Sequence, residues 1–395
     1  MLVNFMNINL TNMEAPIKLS EFISGNKVKQ VNYRSFLPSK INRQWLIDDP
    51  ELETLIAQAH LKLGELTAYS ELIPDVDFFI KMHIAKEATL SSRIEGTQTS
   101  VEEAFLRKED IHPEERDDWQ EVQNYITAMN FAIEKLEKLP LSSRLIREVH
   151  QILLRGVRGK HKQPGVFRKS QNWIGGASLA DALFIPPVHT EVPELMSDLE
   201  LFFHNDQVHL PALVKIAIGH YQFETIHPFL DGNGRTGRLL ITLYLVSEKI
   251  LSRTSLYLSS FFESYRQLYY DNLTRVREQN DMRQWLKFFM VGVIQMSESS
   301  VSTFREITHL RSEVESKIMQ MGRRRKSGRQ LLNYLFTQPL ISAKDVEETL
   351  QCSTPTANAL IKDFKRLDIL KEKTKSQRNR IYSFTQYIGL FEKNG

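Results

Sequence analysis

The segment His227-Pro-Phe-Leu-Asp-Gly-Asn-Gly-Arg-Thr-Gly-Arg238 concentrates side chains that can do chemistry together. Its glycines, Gly232, Gly234 and Gly237, permit close backbone approach and positive φ, so that successive N–H groups can turn inward. A helix is expected to begin at about Gly234, adding free N–H groups and the positive end of a dipole. Arg235 and Arg238 lie three apart near that N-terminus, where the macrodipole disfavours cations, so they point to an anionic ligand. Asp231 is a hard oxygen ligand suited to a Mg²⁺ that stays partly coordinated by phosphates. Asn233 can donate to a phosphate oxygen. His227, held by Pro228, titrates near neutrality and can take a proton from a hydroxyl. Together these parts form a polyphosphate cradle, a metal ligand and a general base. A tight interhelical turn with a surface histidine would explain the glycines but not the other side chains.

A second candidate lies far earlier. Ser91 and Glu95 are four apart, hence on one helical face, and Gly96 follows as a C′ residue. A carboxylate in a last helical turn is unfavourable by ~0.3–1 kcal/mol, so Glu95 is expected to meet a cation from elsewhere in the chain. The alternative is an exposed glutamate at a helix end.

The elements that must position these residues are mostly helices. Residues 1–40 read as an irregular arm. From Asp49, apolar residues at Leu52, Leu55, Ile56, Ala59, Leu63 and Leu66 follow 3- and 4-residue steps. Phe78 to Glu95 reads as a second helix. Thr99 starts another, with a capping box at Ser100 and Glu103. Helices follow at about 116–138, 142–156, 191–204 and 210–225. Gly156, Gly159 and Pro164 break the chain before Val166–Pro187, where Trp173-Ile-Gly-Gly176 and Leu183-Phe-Ile185 predict a β-hairpin. Trp173 and Phe184 are expected to be core residues beneath it. Leu239 to Ile250 reads as a buried helix, followed by helices over Phe261–Glu278 and from Met282 to about Glu313. Arg323-Arg-Arg-Lys-Ser-Gly328 reads as a linker. Helices at about 329–337, Ser342–Leu350 and Thr354–Leu367, then a basic β-prone end (Lys371–Phe384), make a winged helix-turn-helix pattern.

At this point a family resemblance can be given. The segment 227–238 matches H-P-F-x-D-G-N-G-R-x-x-R, the signature of the Fic family, at every defined position. Pro164-Gly-Val-Phe-Arg168, Trp173-Ile-Gly-Gly176 and Phe184-Ile-Pro-Pro187 resemble the family's substrate-binding flap, at 171–187. Tyr269-Tyr270 resembles the tyrosine pair that lines an adenine pocket. Ser91-x-x-x-Glu95-Gly96 resembles the family's inhibitory motif. The resemblance spans roughly residues 40–295 and implies a mainly α fold. That fold is a Fic helical core with a small β-hairpin flap, an N-terminal helical region (1–115) and a catalytic domain (116–320); the winged helix read from the pattern above would occupy 325–395. It also implies transfer of AMP from ATP to Ser, Thr or Tyr hydroxyls of proteins, the chain itself included. His227 would be the base and Asp231 would hold Mg²⁺. Gly232, Asn233, Gly234, Arg235, Thr236, Gly237 and Arg238 would bind the phosphates, with Arg238 on the γ-phosphate. Position 234 is glycine, whereas a lysine-bearing variant of the signature marks members that act as kinases. Glu95 would pair with Arg238, occupy the γ-phosphate's space and inhibit the enzyme. In some relatives this glutamate supports removal of AMP. A hairpin edge can capture an extended peptide by strand addition.

Bulk composition agrees with a reducing, aqueous setting. The chain has 395 residues, 42% hydrophobic and 25% charged, and one cysteine, Cys352, so neither a disulfide framework nor a cysteine zinc site can form. The start of the chain lacks a basic n-region and a continuous apolar run, and no stretch is long enough to span a bilayer, so a soluble cytoplasmic protein is expected. The net charge of +3 is uneven: residues 323–395 hold 15 Lys and Arg against 7 Asp and Glu, the rest 36 against 41. Thr354, Thr356, Asn358, Lys362 and Lys365, with Lys371, Lys373, Lys375, Arg378 and Arg380 on a wing, offer a face for DNA. Protein docking or homodimer formation is the other use of such a module. Two further functions stay open: a DNA-binding regulator that senses a ligand, and an enzyme with another nucleotide donor, since a phosphate cradle hardly reads the base.

Overall fold

The structure is a computed structural model describing residues 15–73, 76–251, 254–374 and 380–392. It begins with small strands: β1 (Ile17–Lys18), β2 (Gly25–Lys29), β3 (Arg34–Pro38) and β4 (Trp45–Leu46). β2 and β3 pair antiparallel, and β1 runs parallel to β4. The expected irregular arm is therefore ordered from residue 15. It has no sustained period-2 pattern because only Ser35, Phe36 and Pro38 of the hairpin turn inward. Residues 1–14 lie outside the described residues.

Helix α1 (Pro50–Leu72) starts where the Asp49 side chain accepts from the Leu52 N–H (3.0 Å) and Pro50 sits in the first turn. α2 (Asp77–Ile94) ends at Glu95, and Gly96 turns the chain away at φ +104°. The capping box at Ser100 and Glu103 forms in both directions (2.7 and 3.2 Å), yet it heads only a 3₁₀ turn, Glu103–Phe105, rather than the expected helix. α3 (Arg116–Leu136), α4 (Ser143–Leu153), α5 (Val192–His204), α6 (Ala212–Ile226) and α7 (Asn233–Ser247) follow. α8 (Ser259–Ser264) and α9 (Arg266–Gln279) replace the single helix expected over 261–278, with the break at Tyr265.

α6 and α7 form the centre. Every α6 residue from Leu213 to Ile226 is buried, as are nearly all of α7, because neighbours cover both from all sides. α2, α3 and α4 pack on α7, and α5 on α6. α10 (Met282–Ile318), capped by Asp281, lies along α1.

The expected linker is helical. A 3₁₀ turn (Met319–Arg324) kinked at Gly322 leads straight into α11 (Arg325–Thr337), whose buried Leu331, Leu332, Leu335 and Phe336 outweigh the basic run that precedes them. Then come β5 (Leu340–Ile341), α12 (Ala343–Leu350), α13 (Thr354–Arg366), β6 (Lys371–Glu372), β7 (Tyr382–Ser383) and α14 (Thr385–Glu392). The three strands form one antiparallel sheet in the order β5-β7-β6. This C-terminal unit is not a free appendage. Phe79 of α2 meets Phe336 edge-on at 5.1 Å, and His83 meets Phe391 at 4.8 Å. Lys373 and Ser383 both reach Glu102 (2.9 and 3.1 Å).

The hairpin expected in Val166–Pro187 is reduced to a single antiparallel bridge, Ile174 with Phe184. Gly175 and Gly176 at φ +71° turn the chain too soon for a ladder to grow. Phe184 packs against Phe36, with Arg277 over its ring at 3.9 Å. Trp173 is 40% exposed, so it is not the core residue expected: the short hairpin leaves no layer above it. Among the described residues no helix is long and apolar enough to cross a membrane.

Candidate active site

The motif loop joins α6 to α7. His227 caps α6 in the left-handed region (φ 50°, ψ 60°), and Gly232 precedes α7 at φ 74°. Three side chains brace the turn between them. The Asn233 amide closes it on Phe229, accepting from its N–H (2.8 Å) and donating to its carbonyl (2.9 Å). Thr236 donates its hydroxyl to the Gly232 carbonyl (2.8 Å). His150 of α4 stacks on Phe229 at 3.7 Å; its Nδ1 accepts from the Gly165 N–H, so Nε2 carries the proton and donates to the Asp231 carbonyl, both at 2.8 Å. Burial keeps this imidazole neutral, down at about 4.

Arg235 turns inward. It is 4% exposed and pairs with Glu121 of α3 (2.7 Å), which also holds Arg158 (3.0 Å). Gly237 lies where α6 and α7 cross, and a Cβ there would overlap the Glu224 carboxylate. Tyr269 is fully enclosed and shares a hydrogen bond with His220 (2.9 Å). Asn233, Arg235, Thr236, Gly237 and Tyr269 thus hold the site together, with side chains or positions committed to internal partners.

The remaining predicted residues meet at the mouth of the loop. Arg238 is 2% exposed; its Nε donates to the Ser91 hydroxyl (2.9 Å), and its Nη2 to the Ser91 carbonyl (2.8 Å) and to Glu95 Oε1 (2.7 Å). Glu95 keeps 36% side-chain exposure, so it stands between the buried arginine and solvent. Burial pushes its carboxyl up, but the Arg238 guanidinium outweighs that and holds it below the usual glutamate value. A Cβ on Gly234 would collide with Glu95 Oε1, so the carboxylate lies directly against the first turn of α7. Tyr270, 38% exposed, is close enough for its hydroxyl to feel both Glu95 and Arg238.

His227 is half-buried. Burial first, then the Arg277 guanidinium, lower its imidazole to about 3, so the ring is neutral near pH 7 and, in this closed arrangement, a weak proton acceptor. Its Nδ1 is buried and makes only a weak interaction with the Glu224 backbone carbonyl. Asp231 stands at the rim with 41% side-chain exposure, one oxygen accepting from the Gly232 N–H (2.6 Å). No group of three or more metal-ligating side chains occurs among the described residues, so Asp231 can hold a cation only where a ligand supplies the other oxygens. The arrangement combines a neutral imidazole, the N-terminus of α7, a buried arginine and a rim carboxylate.

Sequence reasoning gave no role to His150, Glu121, Asn172 or Arg168. Glu121 carries a signal: an acid set among Val122, Tyr125 and Ala128 on a buried helical face. Arg168 falls inside the Pro164–Arg168 match, but its role depends on carbonyls that no pattern reveals.

Two family models match consecutive stretches: the Fic/DOC family N-terminal model over residues 53–134 and the Fic/DOC family model over residues 140–245. The boundary expected between residues 115 and 116 falls inside the first. A protein named "Protein adenylyltransferase Fic" from Aedes aegypti is 33% identical over 147 residues, 36% of this chain and 26% of that protein. One from Aquifex aeolicus named "Probable protein adenylyltransferase aq_aa38" is 32% identical over 177 residues, 43% of this chain and 50% of its own length. The chain thus spans a quarter to a half of these relatives. A crystal structure of a Fic family protein from Desulfovibrio desulfuricans shares the fold, with a TM-score of 0.56 at 23% identity over 85% of this chain and 96% of that one. Residues 53–134 and 140–245 are thus Fic/DOC family domains.

Proposed function

We propose that this chain is a protein adenylyltransferase that moves AMP from ATP to a protein hydroxyl and is restrained by its own Glu95. The observation that carries the reading is the triple hold on Arg238, by the Ser91 hydroxyl, the Ser91 carbonyl and the Glu95 carboxylate. A buried guanidinium behind a helix N-terminus is a site for a terminal phosphate, and here a carboxylate already occupies it. The curated relatives' names support the same chemistry.

In the reaction, His227 takes the proton of a Ser, Thr or Tyr hydroxyl. The oxygen attacks the α-phosphorus of ATP, and the bond to the β-phosphate oxygen breaks, releasing pyrophosphate. The N–H groups at the start of α7 stabilise charge on the phosphates, and Arg238 holds the γ-phosphate once Glu95 has moved. Asp231 would hold Mg²⁺, which supplies charge neutralisation between phosphates. Tyr270 borders the place for the adenine. The bridge at Ile174 and Phe184 leaves an edge on which an extended peptide can align.

The C-terminal unit's element order supports reading it as a winged helix. Thr354, Asn358, Lys362 and Lys365 of α13 are exposed, as a recognition face requires. Several of its cations already have acidic partners, however: Lys365 and Arg380 with Glu372, and Lys373 with Glu102. Lys375 and Arg378 lie outside the described residues. DNA binding therefore stays secondary to the transferase reading.

Intact mass after incubation with Mg²⁺ and each nucleoside triphosphate tests the donor. The Glu95→Gly variant is expected to gain adenylyl groups with ATP, on hydroxyl side chains. Gain of another nucleotide in preference to AMP would overturn the assignment of ATP.

A further inference from the structure

Arg168 is 2% exposed, and among the described residues none of its hydrogen bonds or ion pairs is with a carboxylate. Its guanidinium is given over to backbone carbonyls: Nε to His227 (3.0 Å), Nη2 to Ile226 (3.3 Å) and Pro187, and Nη1 to Ser170 (3.3 Å). Its own N–H donates to the Pro228 carbonyl (2.9 Å). Asn172 adds its amide to the His227 and Phe229 carbonyls (3.2 and 2.8 Å).

Two unfavourable features coincide here. A buried cation without a counter-ion is costly, and burial lowers this guanidinium to about 10. His227, a residue other than glycine, stands in the left-handed region at φ 50°, a strained backbone for a side chain of its size. Each resolves the other. The helix end leaves the Ile226 and His227 carbonyls without intrahelical partners, and the fork supplies donors only while the backbone keeps that turn. The same fork grips Ser170 and Pro187, the two ends of the segment that carries the Ile174–Phe184 bridge.

We propose that Arg168 is the positioning residue of the base: it holds His227 in its left-handed turn and fixes both ends of the 171–187 segment, keeping peptide edge and base in one register. The inference rests on the transferase reading of the site. A lysine cannot replace the fork, because one ammonium cannot span four carbonyls from that direction.

Arg168→Lys and Arg168→Met are made in the Glu95→Gly background, and each is measured for ATP affinity by calorimetry and for transfer of α-labelled AMP. Both are expected to lose about 10²-fold in kcat, the scale of an ångström-level misplacement, with the KM for ATP and the ATP affinity unchanged. A lysine variant with the parent's kcat would overturn the proposal. So would a fall in ATP affinity that matches the loss of rate, since Arg168 would then serve the fold as a whole. If the methionine variant does not melt cooperatively, the lysine variant alone decides. An unlabelled Glu95→Gly parent would sink the transferase reading, an outcome distinct from either.

Discussion

Arg238 Nη2 lies 2.7 Å from Glu95 Oε1, although 143 positions separate the two residues in the chain. Among the described residues neither has another full-charge partner at this distance: Arg238's remaining hydrogen bonds are to Ser91, and Glu95 faces solvent. A buried arginine deprived of its carboxylate would be left with an uncompensated charge, so only an anionic replacement can open the pair cheaply. The γ-phosphate of ATP is such a replacement. Glu95 thus covers Arg238 on its solvent side.

Gly234 tests how tightly that closure fits. A Cβ there collides with Glu95 Oε1 and comes within 3.0 Å of Arg238 Nη1. Gly234→Ala should push the carboxylate off the arginine and break a charge-assisted hydrogen bond worth about 1.5–3 kcal/mol, raising basal labelling by about tenfold or more. In the Glu95→Gly background the same change should raise nothing. A time course of α-label uptake in the four proteins checks both.

On the proposed reading, His227→Ala removes the base and leaves the N-terminus of α7 in place. Transfer should fall by about 10²–10⁴-fold in the Glu95→Gly background, with ATP affinity retained. Steady-state kinetics beside equilibrium nucleotide binding separates the two effects.

Acid should unfold this protein from the inside. His83 and His150 are lowered to about 4, and His220 and His227 to about 3, each chiefly by burial. In the unfolded chain these rings take protons near their ordinary value of 6.5. Between 6.5 and about 3 the unfolded state binds more protons, so this stability is full above 6.5 and is lost as pH falls through the folded values. Glu224 works the other way. Burial raises it to about 7, so its contribution is full below its ordinary 4.5 and fades as pH rises through 7. Glu87, Asp110 and Asp198 are raised by burial and act with Glu224. Asp49, Glu95, Asp181 and Glu372 are held low and act with the four rings, so on balance melting temperatures should decline from pH 6.5 towards 4.

The C-terminal unit should report on α2, the helix that ends at Glu95. Phe391 of α14 meets His83 of α2, two turns before Ser91 and three before Glu95. Phe391→Ala should cost about 3–5 kcal/mol and loosen α2 at that contact. Basal labelling should rise together with the fall in melting temperature, as a scan of both will read.

The chemistry was legible in the sequence where it was local. The types and spacing of Ser91, Glu95, His227, Asp231 and Arg238 suggested a base, a cradle and a carboxylate in need of a cation, because helix periodicity alone places such residues on faces and ends. What stayed hidden depended on tertiary contacts. Asn233, Arg235 and Thr236 looked like ligand contacts, but their partners, Phe229, Glu121 and Gly232, satisfy them from within. Arg168 acts on backbone carbonyls, which carry no side-chain signature. The 323–328 run looked like a linker because its charges mask the apolar face of α11 that begins just after it. Trp173 looked like core because size and apolarity do not tell whether a layer lies above.

The central claim is that Glu95 holds Arg238 against the γ-phosphate. The most direct measurement is initial uptake of α-labelled ATP by the wild-type chain and by Glu95→Gly, at equal protein and saturating Mg²⁺. The account predicts weak label on the wild type and strong label on Glu95→Gly. Equal labelling of the two, or a wild type faster than Glu95→Gly, would contradict it.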